Sequence, residues 1–265
     1  MAVGYNPKII YDNCTVSIDP GNPKSFVGSG LTCSDMTGNG NDLVIGYWSG
    51  SVLIPNSNYG VIVGLSNTSP GYYDFSVFSG QYTYAGRSVM APSEDFDLIN
   101  NFSIEVWVNF ENTTPPAHTI YTQVLMGKSE NDFADIIDGW NILTFDQWDT
   151  VSWRLHTGTD YNVSSSANAL TVDLPSDKTK WIHLMFTYDG SYQRTYLNGS
   201  LAGSRSQTGN VTSNPNKYFA FSSIPGATTA YFRGKVGILR IYKDKVFTAA
   251  EVKQNFDALR GRYGV

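Results

Sequence analysis

Between Phe102 and Asn109 the chain alternates. Phe102, Ile104, Val106 and Val108 are apolar, and Ser103, Glu105, Trp107 and Asn109 stand between them. A period of two over this length predicts a β-strand with one face on a core. Val151, Trp153 and Leu155 alternate in the same way with Ser152, Arg154 and His156, which predicts a strand with one apolar and one wet face. The most legible run is Trp181 to Ser204. Trp181 to Tyr188 reads as a strand, Asp189-Gly190 as a turn, Tyr192 to Leu197 as the return, Asn198-Gly199 as a second turn, and Ser200 to Gly203 as a third strand. Asn-Gly and Asp-Gly pairs, Asn39-Gly40 among them, favour the type I′ turn of tight hairpins. Parallel strands would need long crossovers, so the run predicts an antiparallel meander.

A helical period is clear only near the end. Thr248-Ala249-Ala250-Glu251 is a capping box, and Phe247 with Val252 forms a hydrophobic staple. Val252, Phe256 and Leu259 share one face, and Gly261 is placed to end the helix, which is expected over about 249–260. So short a helix is marginal alone and is expected to dock on the sheets. Pro115-Pro116 and Thr208 to Pro215 read as loops, and no linker or internal repeat is visible. Many short strands with one terminal helix predict a single all-β domain over residues 1–265, a two-sheet antiparallel sandwich.

Composition narrows the function classes. The hydrophobic fraction of 41% supports a real core, and the low charged fraction of 15% fits neutral polar sheet surfaces. The net charge is −5 and no basic stripe occurs, which argues against a nucleic-acid groove. No apolar run reaches the roughly 20 residues of a membrane helix. Met1 to Tyr11 lacks the charged-then-apolar pattern of a cleaved signal, so the expected product is cytoplasmic when made. Without a signal, sequons such as Asn67, Asn112 and Asn198 carry little meaning. Cys14 and Cys33 sit among strand-like residues and read as buried free thiols, although the sequence leaves their pairing open.

Several stretches, in order along the chain, resemble the concanavalin A-like, laminin-G-type jelly roll. Ile18 to Phe26 is similar to the family's early LDAGNPxSY segment, and Gly30 to Asn41 to its GTTWxDLSGNGN segment. Phe102 to Val108 resembles its FTIEAWV strand, and Trp181 to Gly199 its central hairpin. Gly234 to Tyr242 and Phe247 to Arg262 resemble its closing strand and helix. Cys33 stands where the family usually has Trp, and Tyr82 to Val89 lacks the Asp pair common at that place. The resemblance implies a jelly-roll sandwich with a short C-terminal helix. The start, Met1 to Ile9, and the end, Gln254 to Gly264, are similar to virion structural proteins of tailed bacteriophages, marine and cyanobacterial ones in particular. That likeness implies a place on the virion surface. It also implies the major capsid protein or tail and fibre proteins as partners, and assembly as a homo-oligomer.

Candidate chemistry is sparse. A glycoside hydrolase needs two carboxylates flanking the scissile bond. No Glu-x-Asp-x-x-Glu strand occurs, and Glu94-Asp95-Phe96-Asp97 has the wrong order, so a non-enzyme is expected. His118, His156 and His183 are scattered, with His183 read as structural, and no Gly-x-Ser-x-Gly elbow, phosphate loop or zinc spacing is present. Asp19, Asp35, Asn39 and Asn41, with Asp42, offer the oxygen ligands calcium prefers; the alternative is that they set tight turns. Trp148 with Asp146, together with Trp140, and Tyr47-Trp48, are candidate platforms for a host glycan; the alternative is that they cap the sandwich ends. Arg260, Arg262 and Tyr263 are candidates for docking a partner, against an ordered tail. A head decoration protein is the first expectation, because no heptads or repeats suggest a fibre shaft. A carbohydrate-binding tail-fibre or host adhesin is the alternative.

Overall fold

The computed structural model describes residues 7–49, 52–75, 88–89, 93–110, 122–128, 138–145, 149–158, 169–213, 219–222 and 232–265. Asn112, Pro115, Pro116, His118, Asp146 and Trp148 lie outside them, as do Tyr82 to Arg87. The strands, in chain order, are β1 (Cys14–Ile18), β2 (Thr32–Cys33), β3 (Leu43–Ser49), β4 (Val52–Pro55), β5 (Val61–Ser66), β6 (Ser69–Asp74), β7 (Ser88–Val89), β8 (Phe102–Asn109) and β9 (Thr122–Lys128). They continue as β10 (Trp140–Phe145), β11 (Thr150–Leu155), β12 (Ala169–Asp173), β13 (Ile182–Tyr188), β14 (Tyr192–Leu197), β15 (Ser200–Ser206), β16 (Ala220–Phe221) and β17 (Lys235–Tyr242). The helix α1 covers Ala249–Tyr263.

Two antiparallel sheets form a sandwich. The first runs β15-β14-β13-β8-β17-β6-β5, with β1 also on β17; the second runs β12-β11-β10-β9-β16-β7-β3-β2, with β4 on β3. The predicted alternation in β8 holds. Phe102, Ile104, Val106 and Val108 enter the core between the sheets, where they join Phe186, Leu239, Ile142, Trp153 and Phe221. Burying each such side chain contributes about 1.5–3 kcal/mol, so this layer dominates the stability.

The meander β13-β14-β15 is present as read, but its turns differ. Asn198 and Gly199 both have positive φ, 48° and 80°, as a type I′ turn requires. At Asp189-Gly190 only the glycine does. There the Asp189 carboxylate accepts hydrogen bonds from the backbone of Ser191 and Tyr192, an Asx turn that holds Asp189 in an ordinary conformation. Asn39-Gly40 likewise has positive φ only at the glycine.

The wet face expected on β11 is not wet. Ser152, Arg154 and His156 are all buried, and Thr171 Oγ1 on β12 donates to Ser152 Oγ. The outer face of the first sheet is covered as well, by α1. Its capping box forms as predicted, and Phe247 and Val252 pack together with Met185, Tyr196 and Tyr242. Gly261 does not end the helix. The chain continues to Gly264, which takes the left-handed conformation at φ 71° and closes the last turn on the Arg260 carbonyl. The added turn has a physical cause: it brings Tyr263 onto Trp107, ring to ring at 4.2 Å, and lets the Ile238 amide donate to the Tyr263 hydroxyl oxygen. Among the described residues no helix is long and apolar enough to cross a membrane.

Candidate functional site

The chemistry-bearing residues collect on the outer face of the first sheet. On β8, Glu105 points away from the core and towards α1, and it is fully buried. Four neighbours surround its carboxylate. Arg240 Nη1 donates to Oε2 at 3.1 Å, Asn255 Nδ2 donates to the same oxygen at 2.9 Å, and His183 Nε2 lies 3.2 Å from Oε1. The Tyr242 hydroxyl sits between Oε2 at 3.1 Å and the Ile10 carbonyl at 3.0 Å, with one proton to donate. Asn255 Oδ1 accepts from the Ile10 amide, so the network ties β8, β13, β17, α1 and the N-terminal segment together.

Burial alone would raise the Glu105 pKa. The Arg240 charge and the His183 hydrogen bond outweigh it and hold the carboxyl down to about 2. Burial would lower Arg240, but the Glu105 charge keeps it firmly protonated. Glu105 is therefore a sealed carboxylate, ionised at neutral pH. A general acid needs a raised pKa and access to a substrate, and Glu105 has neither.

The calcium candidates are engaged within the fold. Asp35 accepts through Oδ1 from the Ser17 and Thr37 amides and through Oδ2 from the Thr37 hydroxyl and the Asn41 amide. Asp42 accepts from the Asp35 amide. Asn39 and Asn41 turn their NH₂ groups, not their oxygens, to the Thr15 carbonyl. Asp19 binds Arg262 with both oxygens and also accepts from the Gly21 amide. Asp35 sets the turn, with loop amides and the Thr37 hydroxyl on both its oxygens, while Asp19 is held chiefly by the Arg262 guanidinium. Among the described residues no group of three His, Cys, Asp or Glu side chains could hold a metal ion.

Two other expectations change. Trp140 is 1% exposed, packs at a tilt against Phe219 and donates from Nε1 to the Phe96 carbonyl, so it caps the interior and cannot carry a sugar. Trp148 and Asp146, and the side chains of Tyr47 and Trp48, lie outside the described residues. In the tail, Arg262 is held by Asp19 and the Pro70 carbonyl, and Tyr263 is buried on Trp107 and Trp181. Both hold the tail down and are unavailable to a partner; only Arg260 stays exposed, its Nε on the Val265 carbonyl. Both cysteines are free; Cys33 is buried and Cys14 partly so. Burial pushes each thiol up to about 12.

Beside the Glu105 network the surface opens. Tyr11, Cys14, Ser17, Met36 and Thr37 line a pocket of about 330 Å³. No charged side chain lines it. Neither this pocket nor the buried network was singled out from the sequence. Glu105 and Arg240, charged residues in the middle of apolar strand runs, were the available signal.

Residues 80–253 match the family model of the concanavalin A-like lectin/glucanases superfamily. The chain belongs to this superfamily. No curated protein matches it. Solved structures with the same fold include the binding domain of botulinum neurotoxin serotype D, with TM-score 0.61, 13% identity, and coverage of 94% of this chain and 52% of that one. The binding domain of Paraclostridial Mosquitocidal Protein 1 gives TM-score 0.61 at 15% identity, covering 92% of this chain and 52% of that one. The ligand-binding domain of botulinum neurotoxin serotype D in complex with N-acetylneuraminic acid gives 0.63 at 12% identity, covering 94% and 51%. The concanavalin A-like chain thus spans about half the length of these structures, and at such identities the likeness is one of fold.

Proposed function

We propose that this chain is a non-enzymatic carbohydrate-binding adhesin, one domain over residues 1–265, carried at the surface of a tailed bacteriophage particle on its tail or fibres. The observation that carries the non-enzymatic part is Glu105. Among the described residues it is the one carboxylate in the middle of a strand, where a hydrolase of this fold would place its catalytic acids, and it is sealed beneath α1. Fold neighbours that are themselves binding domains support recognition over hydrolysis, and favour the adhesin over head decoration. The phage setting rests on the resemblance of the two chain ends.

A glycan array probed with the whole chain tests the binding. Retention on a defined set of glycans supports it, and no retention on any glycan removes it. Immuno-gold electron microscopy of phage particles tests the location. Gold on tails or fibres is the expected result; gold spread over the heads would return the weight to decoration.

A further inference from the structure

The edges of the two sheets are finished differently. On one side the sandwich is stitched shut: Arg205 Nη1 on β15 donates to the Ala169 carbonyl on β12, and a Cβ on Gly203 would meet Val172 and Leu170. On the second sheet β2 is only two residues long and β4 ends in Pro55, both ordinary ways of blunting an edge. β5 has none of these protections. It runs over Val61–Ser66, closes the first sheet with β6 as its neighbour, and contains neither proline nor a charged residue. The chain carries no charged side chain at all from Leu43 to Tyr73. A long, uncharged, apolar strand edge is a template for a further strand.

The register of the β5–β6 hairpin decides which groups point outwards. Leu65 lies opposite Pro70, which has no N–H, so theirs is a non-hydrogen-bonded pair. The two kinds of pair alternate along the ladder, so Val61, Val63 and Leu65 all turn their N–H and C=O groups to the free edge. Among the described residues no hydrogen bond reaches these groups from outside the hairpin. The three side chains share one face of the sheet, and it is the outer one, because Ile62 between them packs on the core. Val61 is 40% exposed and Leu65 57%, and Val63 is half-buried.

We propose that β5 pairs antiparallel with β5 of a second copy of this chain, so that the first sheets of two copies run on as one across a two-fold axis. Such an edge is its own complement. With Val63 opposite the partner's Val63 on the axis, Val61 meets the partner's Leu65 on either side. The three pairs exchange about six hydrogen bonds, and their side chains form one apolar strip on the outer face. Each copy carries a net charge of −5, yet they meet within the uncharged stretch, where no like charges are set opposite each other. The contact uses the same patch on both copies, so assembly closes at two. The dimer stands independently of the carbohydrate reading.

Sedimentation equilibrium of the whole chain over a range of concentrations tests it, and twice the chain mass is the expected result. Val63→Lys should weaken self-association by about 10-fold or more, because it sets two like charges opposite each other at the axis. Its far-UV circular dichroism should stay unchanged, since the side chain faces outwards. Val63→Cys should be trapped as a disulfide-linked dimer by mild oxidation, because a hydrogen-bonded antiparallel pair brings the two Cα atoms to about 5.5 Å, within disulfide range. Leu201→Cys, exposed on β15, should not be trapped under the same oxidation. A chain that stays monomeric at every concentration overturns the proposal and leaves the edge to a foreign strand. An oligomer of higher order overturns the two-fold closure. A dimer that Val63→Cys fails to link has its interface elsewhere, whichever way Val63→Lys behaves.

Discussion

Replacing Glu105 with Gln removes one negative charge while keeping nearly the same volume. The structure makes this costly. Arg240, 1% exposed, would keep its charge and lose its only ionic partner among the described residues. Breaking a buried pair from one side typically costs about 3–5 kcal/mol. The titration of Glu105 expresses the same interaction through its pKa. Its folded pKa is about 2 against an ordinary value of 4.5, a difference worth about 3 kcal/mol. Because the folded value is depressed, this stability is fully present above about pH 4.5 and is lost as pH falls towards 2. Urea unfolding of wild type and Glu105→Gln at several pH values reads both effects. At pH 7 the variant should be about 3–5 kcal/mol less stable. The gap should close as pH drops from about 4.5 to 2, since a protonated Glu105 resembles the amide. Asp189 and Glu251 also have lowered values, held down against burial by Arg194 and by Lys245 and Thr248, but this is the same in both proteins and cancels in the difference. The double variant Glu105→Leu with Arg240→Met should lose less than the single one, because no charge is left buried alone. A gap below about 1 kcal/mol at pH 7, or one indifferent to pH, would refute the reasoning.

Three further outcomes follow from the same geometry. Asp35→Ala should cost about 1–3 kcal/mol by stranding the amides of Ser17 and Thr37, and neither added calcium nor a chelator should move the wild-type melting temperature; a rise with calcium would reinstate the ion. Tyr263→Phe should cost about 1–3 kcal/mol in chemical denaturation, because the buried Ile238 amide loses its acceptor; an unchanged midpoint would mean the helix end does not seal the sheet. With thiol pKa values raised to about 12, Cys14 and Cys33 should both resist a thiol reagent at pH 8 and react only on unfolding; fast labelling of the native chain would show that the thiols are accessible.

The fold was legible because its signals are local. Alternation in Phe102 to Asn109, the Asn198-Gly199 turn and the capping box at Thr248 each act within a few residues, and each survives in the structure. What misled was the meaning of polar faces. Period two identifies a strand, but not whether its second face meets water. Glu105 and Arg240 read as polar positions until α1 covers them, and that packing joins residues more than 100 apart in sequence. The acidic loop is ambiguous in sequence for a related reason. Asp and Asn oxygens suit a cation and a backbone N–H equally, and only the folded loop decides between them. Trp140 could have been a platform or a cap, and burial alone separates the two.

The central claim is recognition without turnover. Its most direct test is to incubate the whole chain with the glycans retained on the array and analyse them by mass spectrometry after prolonged contact. The account predicts glycans that bind reversibly and are recovered at unchanged mass. Release of shortened saccharides that stops when a single carboxylate is replaced would contradict it and make the chain a hydrolase.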